Sequence, residues 1–274
     1  LDVELQFFND PALLPSAMAG GAVDGAMLTY DQVVGAVAKG LKHRVVMPID
    51  FSNGGDAIVA DKSIASVADF KGKQVGYNPL SPSDFLLAYA LQVNGMTEKD
   101  IKGVNMTPEG IPSAMASGSL PVGVTYEPNV SQILGMAGGD KFHVVYSSKD
   151  APGLITDVLA FDEKMIAAEP EAITAMIKGY QAGLEYMQAH PQESSEIIGK
   201  VLGVSGAEAI EQMEGVYNIP LDEMGKNFIE SEETTSFYGS GAVIADLLVK
   251  NKQIPSVPDF ADTFDASFVS DLTE

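Results

Sequence analysis

Apolar residues come in short runs through the first 160 positions, and amphipathic stretches separate them. The runs VELQFF (3–8), DGAML (24–28), HRVVMPI (43–49), QVGY (74–77), GVNM (103–106), VGVTY (122–126) and FHVVYS (142–147) predict strands. Helices are predicted over 11–20, 32–40, 81–95, 111–118 and 129–139, several of them closed by glycine, which tolerates the left-handed conformation at a helix end. At the 81–95 start, Ser81 reads as N-cap, Pro82 as the first helical residue and Asp84 as the partner closing a capping box. Strands alternating with helices imply mostly parallel sheets covered by helices on both faces. Beyond 160 the pattern is helical: Ile173, Ile177, Tyr180, Leu184 and Met187 form one stripe between Pro170 and Pro191. Ser205 and Glu208 have capping-box spacing, and 240–254 reads as a further helix. The tail, 254–274, is rich in turn residues and predicts a surface course.

The chain also repeats itself. PSAMAGGAVDGAMLTYD (15–31) returns as PSAMASGSLPVGVTYE (112–127), an offset of 97 that Asp10-Pro11 and Thr107-Pro108 share. KGLKHRVVM then parallels GGDKFHVVY, and GGDAIVADK parallels ITDVLAFDEK, which aligns Asp56 with Asp157 at an offset of 101. Two related α/β lobes are expected, with the unrepeated helical third covering the first. The second copy is preceded by a strand and helix (72–95) without a counterpart in the first. By the symmetry of the repeat, an equivalent strand and helix are expected before Leu1.

Charge narrows the functions. With 16 Lys and Arg against 38 Asp and Glu, the net charge is −22, and Arg44 is the only arginine. No basic footprint for nucleic acid exists; the acidic shell suits solubility or a saline habitat. No run reaches the ~18 apolar residues of a membrane span, which predicts a soluble chain. With no cysteine, disulfides, thiolate metal sites and a cysteine nucleophile are excluded. GxSxG, HExxH and GxxxxGK[ST] are absent, and His43, His143 and His190 do not cluster. No catalytic residue, metal or cofactor is expected.

Ligands of open α/β sheets sit beyond the carboxyl ends of the strands. Polar residues follow those ends in both copies: Thr29, Tyr30 and Asp31; Ser52 and Asn53 after Asp50; Asn78, Ser81 and Ser83; Tyr126 and Glu127 after Thr125. Thr29 and Gln32 fit a capping box, and Pro128 fits the first position of a helix. Free N–H groups at such starts suit an anion, whereas Asp31, Glu127, Asp56 and Asp157 suit an amine or other donor. A small zwitterionic or donor-rich ligand satisfies both. Asp31 and Glu127 equally fit a pure capping role, and Asp56 and Asp157 a structural one. DFSNGGDAIVA carries the Asn-Gly of a hairpin, but a tight cleft loop is preferred, because Ser52 and Asn53 follow a strand at the sheet's end.

VDGAMLTYDQVV, DFSNGGDAIVADKSIASVADFKGKQVGY, SPSDFLLAYALQVNGM, TYEPN and DVLAFDEKMIAAEPEAITAMIKGYQAGLEYMQAHPQE resemble the ABC-transporter solute-binding proteins of the nitrate/sulfonate/taurine class, which includes thiamine-pyrimidine-precursor binders. The resemblance spans nearly the whole chain. It implies a two-lobed α/β periplasmic-binding-protein fold of the second type, with mixed sheets and two crossover strands, at 56–60 and 157–161. Lobe one is then 1–60 with 157–274, and lobe two is 61–156. It further implies a periplasmic or membrane-tethered monomer that captures a small-molecule solute between the lobes and delivers it to a membrane permease. The family's chains begin one strand earlier than this one, in agreement with the repeat. Enzymes of thiamine-pyrimidine synthesis on the same fold carry a Cys-rich motif that this chain lacks. A ligand-sensing domain of a receptor is the other alternative.

Overall fold

The computed structural model describes residues 2–136 and 140–273. In chain order its elements are α1 (Leu14–Ala19), β1 (Gly25–Thr29), α2 (Tyr30–Ala38), β2 (His43–Ser52), β3 (Asp56–Asp61), β4 (Gln74–Tyr77) and α3 (Pro82–Val93). There follow β5 (Lys102–Asn105), α4 (Ile111–Ala116), β6 (Val122–Tyr126), α5 (Asn129–Gly135), β7 (Phe142–Ser147) and β8 (Thr156–Asp162). The remainder is α6 (Glu163–Ala168), α7 (Pro170–Ala189), α8 (Pro191–Leu202), α9 (Gly206–Met213), β9 (Val216–Asn218), α10 (Leu221–Met224), α11 (Phe237–Lys250) and α12 (Ser267–Thr273).

Two sheets result. The first has the order β1-β8-β2-β9 and the second β5-β4-β6-β3-β7. In the first, β8 runs antiparallel to both β1 and β2; in the second, β3 runs antiparallel to both β6 and β7. The sheets are therefore mixed, where strand–helix alternation alone predicts mostly parallel ones. The reason is local: β3 and β8 enter just after the chain has passed from one sheet to the other, at 53–55 and at 148–155. The triplets β1-β8-β2 and β6-β3-β7 are topological copies, as the sequence repeat requires.

Period-two alternation sorts the central strands between cores. Ile58 and Ala60 of β3, with Val158 and Ala160 of β8, join one shared core with α2, α3 and α11. Their alternates face away: Leu159 and Phe161 pack on α7 and α12 through Ile173, Ile177, Phe268 and Val269. Ala57 and Val59 pack on α4 and α5 through Ile111, Met115, Val130 and Ile133. Both sheets are thus covered on both faces.

Three local expectations change, and one is met. Residues 3–8 form no strand; a strand exists only through a hydrogen-bonded neighbour, and Leu5 and Phe7 are exposed. The 53–55 segment is the tight loop preferred over a hairpin, because β2 and β3 belong to different sheets. Pro128 is the N-cap of α5, not its first residue, and the glycines expected to close that helix, at 138–139, lie outside the described residues. The tail does not stay on the surface: Phe264 bridges Val45, and Phe264, Phe268 and Val269 are buried, so its apolar residues are core despite their turn-rich setting.

Two glycines separate packing from propensity. A Cβ on Gly123 of β6 meets the Ile111 side chain and the Met115 sulfur of α4. Gly123→Ala is expected to destabilise by about 1–3 kcal/mol through overpacking. Gly183, inside α7, faces open space, and Gly183→Ala is expected to stabilise by roughly 0.5–1 kcal/mol. Urea midpoints at unchanged m-value check both; a neutral Gly123→Ala would refute the tight β6–α4 contact.

Candidate functional site

A cavity of about 260 Å³ lies where the strand ends of the two sheets meet. Thr29 from β1, Asp50 and Ser52 from β2, Asp157 from β8 and Val216 from β9 come from the first sheet. Asp56 from β3, Tyr126 from β6 and Pro82 from the start of α3 come from the second half. Pro11, Leu14, Met27 and Leu28 supply an apolar wall. A more open hollow of about 490 Å³, at Asp61, Lys73, Gln74 and Lys102, lies on the second sheet alone. The smaller cavity is the better candidate because both sheets build it.

Ladder register explains the convergence. Thr29 at the end of β1 is opposite Asp157 at the start of β8. Tyr126 at the end of β6 is opposite Asp56 at the start of β3. Each copy of the repeat therefore sets its Thr-Tyr-acid end against the acid that opens a reversed strand. Asp56 ties the passage between sheets: Ser52 Oγ donates to Asp56 Oδ2 at 2.6 Å and lies 2.8 Å from Ser148 Oγ. The backbone N–H of Asp56 donates to Ser52 Oγ, and that of Gly54 to Ser148 Oγ at 2.6 Å. Asn53 N–H and Gly55 N–H both donate to the Gly215 carbonyl.

Of the residues expected from sequence, Thr29, Ser52, Asp56, Tyr126, Glu127 and Asp157 line the cavity. Tyr30 does not. It is fully buried, its hydroxyl donating to the Phe237 carbonyl at 3.0 Å and lying 2.8 Å from Thr263 Oγ1, because its helix packs on α11 and the tail. Asn53 is exposed outside the cavity. Asn78, Ser81 and Ser83 are buried around the start of α3, beside Pro82. Ser81 is its N-cap, accepting from Ser83 N–H, but Asp84 closes no capping box: it accepts from Leu80 N–H at 2.8 Å and from Gln253 Nε2 at 2.8 Å. Thr29 and Gln32 do form their capping box. Glu127 accepts from Ser131 N–H and Oγ, capping α5 while bordering the cavity. Asp31 sits behind the lining, with Oδ1 buried and without a hydrogen-bond partner. Sequence reasoning leaves Asp50 and Val216 outside the pocket; β9, which pairs with β2 there, is too short to signal itself.

Burial dominates the electrostatics. It lifts the Asp31 carboxyl to about 6, with the Thr29 hydroxyl opposing and Asp84 and Asp56 adding repulsion. It lifts Asp56 to about 7 against the hydrogen bond from Ser52, with Asp157 adding to the rise. Asp157 is raised to about 6 by burial and by Asp31. Asp50 is raised well above the usual range by burial, then by Asp157 and Asp56. No three of these acids form a metal-binding group among the described residues.

Comparison with known proteins agrees with this architecture. A computed superposition matches the alkanesulfonate-binding protein of Xanthomonas axonopodis pv. citri, bound to MOPS, with a TM-score of 0.79 at 17% identity, over 94% of this chain and 86% of that one. Two mixed sheets with a cavity where their strand ends meet are thus the periplasmic-binding-protein fold. The chain belongs to the NMT1/THI5-like family, whose sequence profile matches residues 1–194. A Brucella abortus protein named as a binding protein is 24% identical over 281 residues, covering 98% of this chain and 82% of its own. A thiamine biosynthesis protein of Haemophilus influenzae is 29% identical over 204 residues, covering 71% of this chain and 62% of its own.

The raised carboxyls set a sign for stability. The folded state holds protons that the unfolded chain releases near its usual 3.8, so these acids cost nothing below about pH 4 and destabilise increasingly up to about pH 7. Asp56→Asn keeps an acceptor for Ser52 and removes one charge. It is expected to raise ligand-free stability at pH 8 by roughly 1–3 kcal/mol and to change little at pH 4. Thermal melts across that range check it; a variant no more stable than wild type at pH 8 would contradict the assignment of a buried charge.

Proposed function

We propose that this chain is the extracytoplasmic solute-binding component of an ABC importer, capturing a small polar or zwitterionic organic solute in the cavity. The observation that carries this reading is the origin of the lining: polar strand ends from both sheets meet there, and only two backbone passages join the sheets. Lobe one is taken as 1–60 with 157–274 and lobe two as 61–156. A ligand touching both lobes binds the closed arrangement better and shifts the population towards it. The twelve expected residues divide the work: Thr29, Ser52, Asp56, Tyr126, Glu127 and Asp157 contact solute, while Tyr30, Asp31, Asn53, Asn78, Ser81 and Ser83 position them. The protein acts as a periplasmic monomer and passes its solute to a membrane permease. Family membership and the binding-protein relatives support this assignment.

A catalytic reading has two observations in its favour: carboxyls raised to about 6 and 7 suit acid–base chemistry, and the Haemophilus relative is named for thiamine biosynthesis. Recovery of bound solute separates the two. A binding protein returns it chemically unchanged after prolonged incubation; an enzyme does not.

A thermal-shift screen of small sulfonates, amino acids, amines and pyrimidines tests the proposal. A solute at 100 times its Kd is expected to stabilise the protein by about 2.7 kcal/mol, and Asp157→Ala to abolish that gain while still folding. A screen in which no solute shifts the melt would remove the reading's main support.

A further inference from the structure

Resting on the solute-binding reading, we propose that the cavity selects a small organic cation, a protonated amine or amidine on a compact apolar body. Asp56 and Asp157 are its direct counter-ions, and Asp31 is the buried charge behind them.

The argument begins with what the protein itself leaves unbalanced. Asp31, Asp50, Asp56 and Asp157 converge from α2, β2, β3 and β8, and the titration of each is raised by another of the four. None takes part in an ion pair among the described residues: Arg44 pairs with Glu163 and Asp262, Lys62 with Asp140, Lys226 with Glu223 and Lys250 with Asp246. Buried charge without a partner is costly. The groups facing the cluster from the surrounding elements are Asp84 of α3, Tyr126 of β6, Glu127 and Tyr180 of α7, again acids and phenols.

A second observation points to a ligand. Asp56 is only 9% exposed and lines the cavity, and its one side-chain hydrogen bond goes through Oδ2 to Ser52. Asp31 is 7% exposed, and its Oδ1 has no partner. The charged groups of the lining are all acceptors, and its donors are neutral hydroxyls and amides such as Tyr126 and Gln32.

An oxyanion fits poorly. The helix starts that would cradle it carry their own acceptors: Gln32 takes the Thr29 N–H, Asp84 the Leu80 N–H, Ser81 the Ser83 N–H and Glu127 the Ser131 N–H. A bare metal ion fits poorly too, since the acids do not stand as a metal-binding group among the described residues. The remaining wall, Pro11, Leu14, Met27, Leu28 and Val216, is apolar. About 260 Å³ is just under the range of pockets for drug-sized ligands, which sets the size of the organic body.

Isothermal titration of the full chain with benzamidine, n-propylamine, taurine, ethanesulfonate and nitrate, at pH 5 and pH 8 and in two buffers of different ionisation enthalpy, tests this. The expected result is binding of benzamidine or n-propylamine, at least tenfold tighter at pH 8 than at pH 5, with net proton release. That affinity should fall at least tenfold in Asp56→Asn and in Asp157→Asn, and hold in Glu171→Gln, an exposed acid on α7. Circular dichroism melts confirm that the variants fold. Binding of ethanesulfonate, nitrate or taurine without the cations overturns the cation inference and leaves the solute-binding reading standing. Cation binding that the Asp→Asn variants retain also overturns it. Binding of none of the five overturns the cation inference and weakens the solute-binding reading with it.

Discussion

The short chain of hydrogen bonds from Asp56 through Ser52 to Ser148 holds the rest of the molecule in register. Ser52 ends β2 in the first sheet, Asp56 opens β3 in the second, and Ser148 begins the return passage. One carboxylate thus fastens both backbone crossings at the point where the sheets meet. The same carboxylate lines the cavity, so the element that fixes the geometry between the sheets is also exposed to whatever enters there.

That placement follows from the repeat. Each copy must insert a reversed strand between two parallel ones, and a reversed strand begins where its neighbours end. Its first residue is therefore set beside the C-terminal ends of β1 and β2, or of β6 and β7. An acid stands at that start in both copies, Asp56 as the first residue of β3 and Asp157 as the second of β8, and both acids are lifted towards neutrality by burial. The duplicated topology concentrates negative charge at the cavity because the same rule is applied twice.

Most of the fold was legible because it is locally encoded. The Thr29–Gln32 and Ser205–Glu208 capping boxes stand as their spacing requires, and the apolar stripe of α7 buries Ile173 and Ile177. What escaped the sequence depends on partners far along the chain. Tyr30 follows a strand end, as a ligand residue would, yet its hydroxyl is claimed by Phe237 and Thr263 more than 200 positions away. The tail looks like a surface segment because its aromatic residues are scattered among turn formers, but Phe264 seats against Phe228, Phe237 and Tyr238. Asp84 has capping-box spacing but turns to Leu80 and Gln253 instead. Half of the expected site lines the cavity, since strand ends were identified correctly; the direction of each side chain beyond the strand was not encoded in the pattern.

Similarity to sulfonate-binding structures at 17% identity fixes the path of the backbone, and the path alone does not fix the sign of the cavity. Helix starts at the ends of the strands offer N–H groups in any protein of this architecture. Whether an anion can use them depends on whether side chains have taken them first. In this chain Gln32, Ser81, Asp84 and Glu127 each take one such N–H, and four more carboxylates stand nearby with no ion-pair partner among the described residues. Repulsion among like charges at short range grows as the dielectric falls, so closing the lobes around an anion would strengthen the very interactions that oppose it. Closing around a cation reverses the sign of each of those interactions. On the proposed reading, the residues that make the empty cavity costly would be the ones that favour the closed, occupied state.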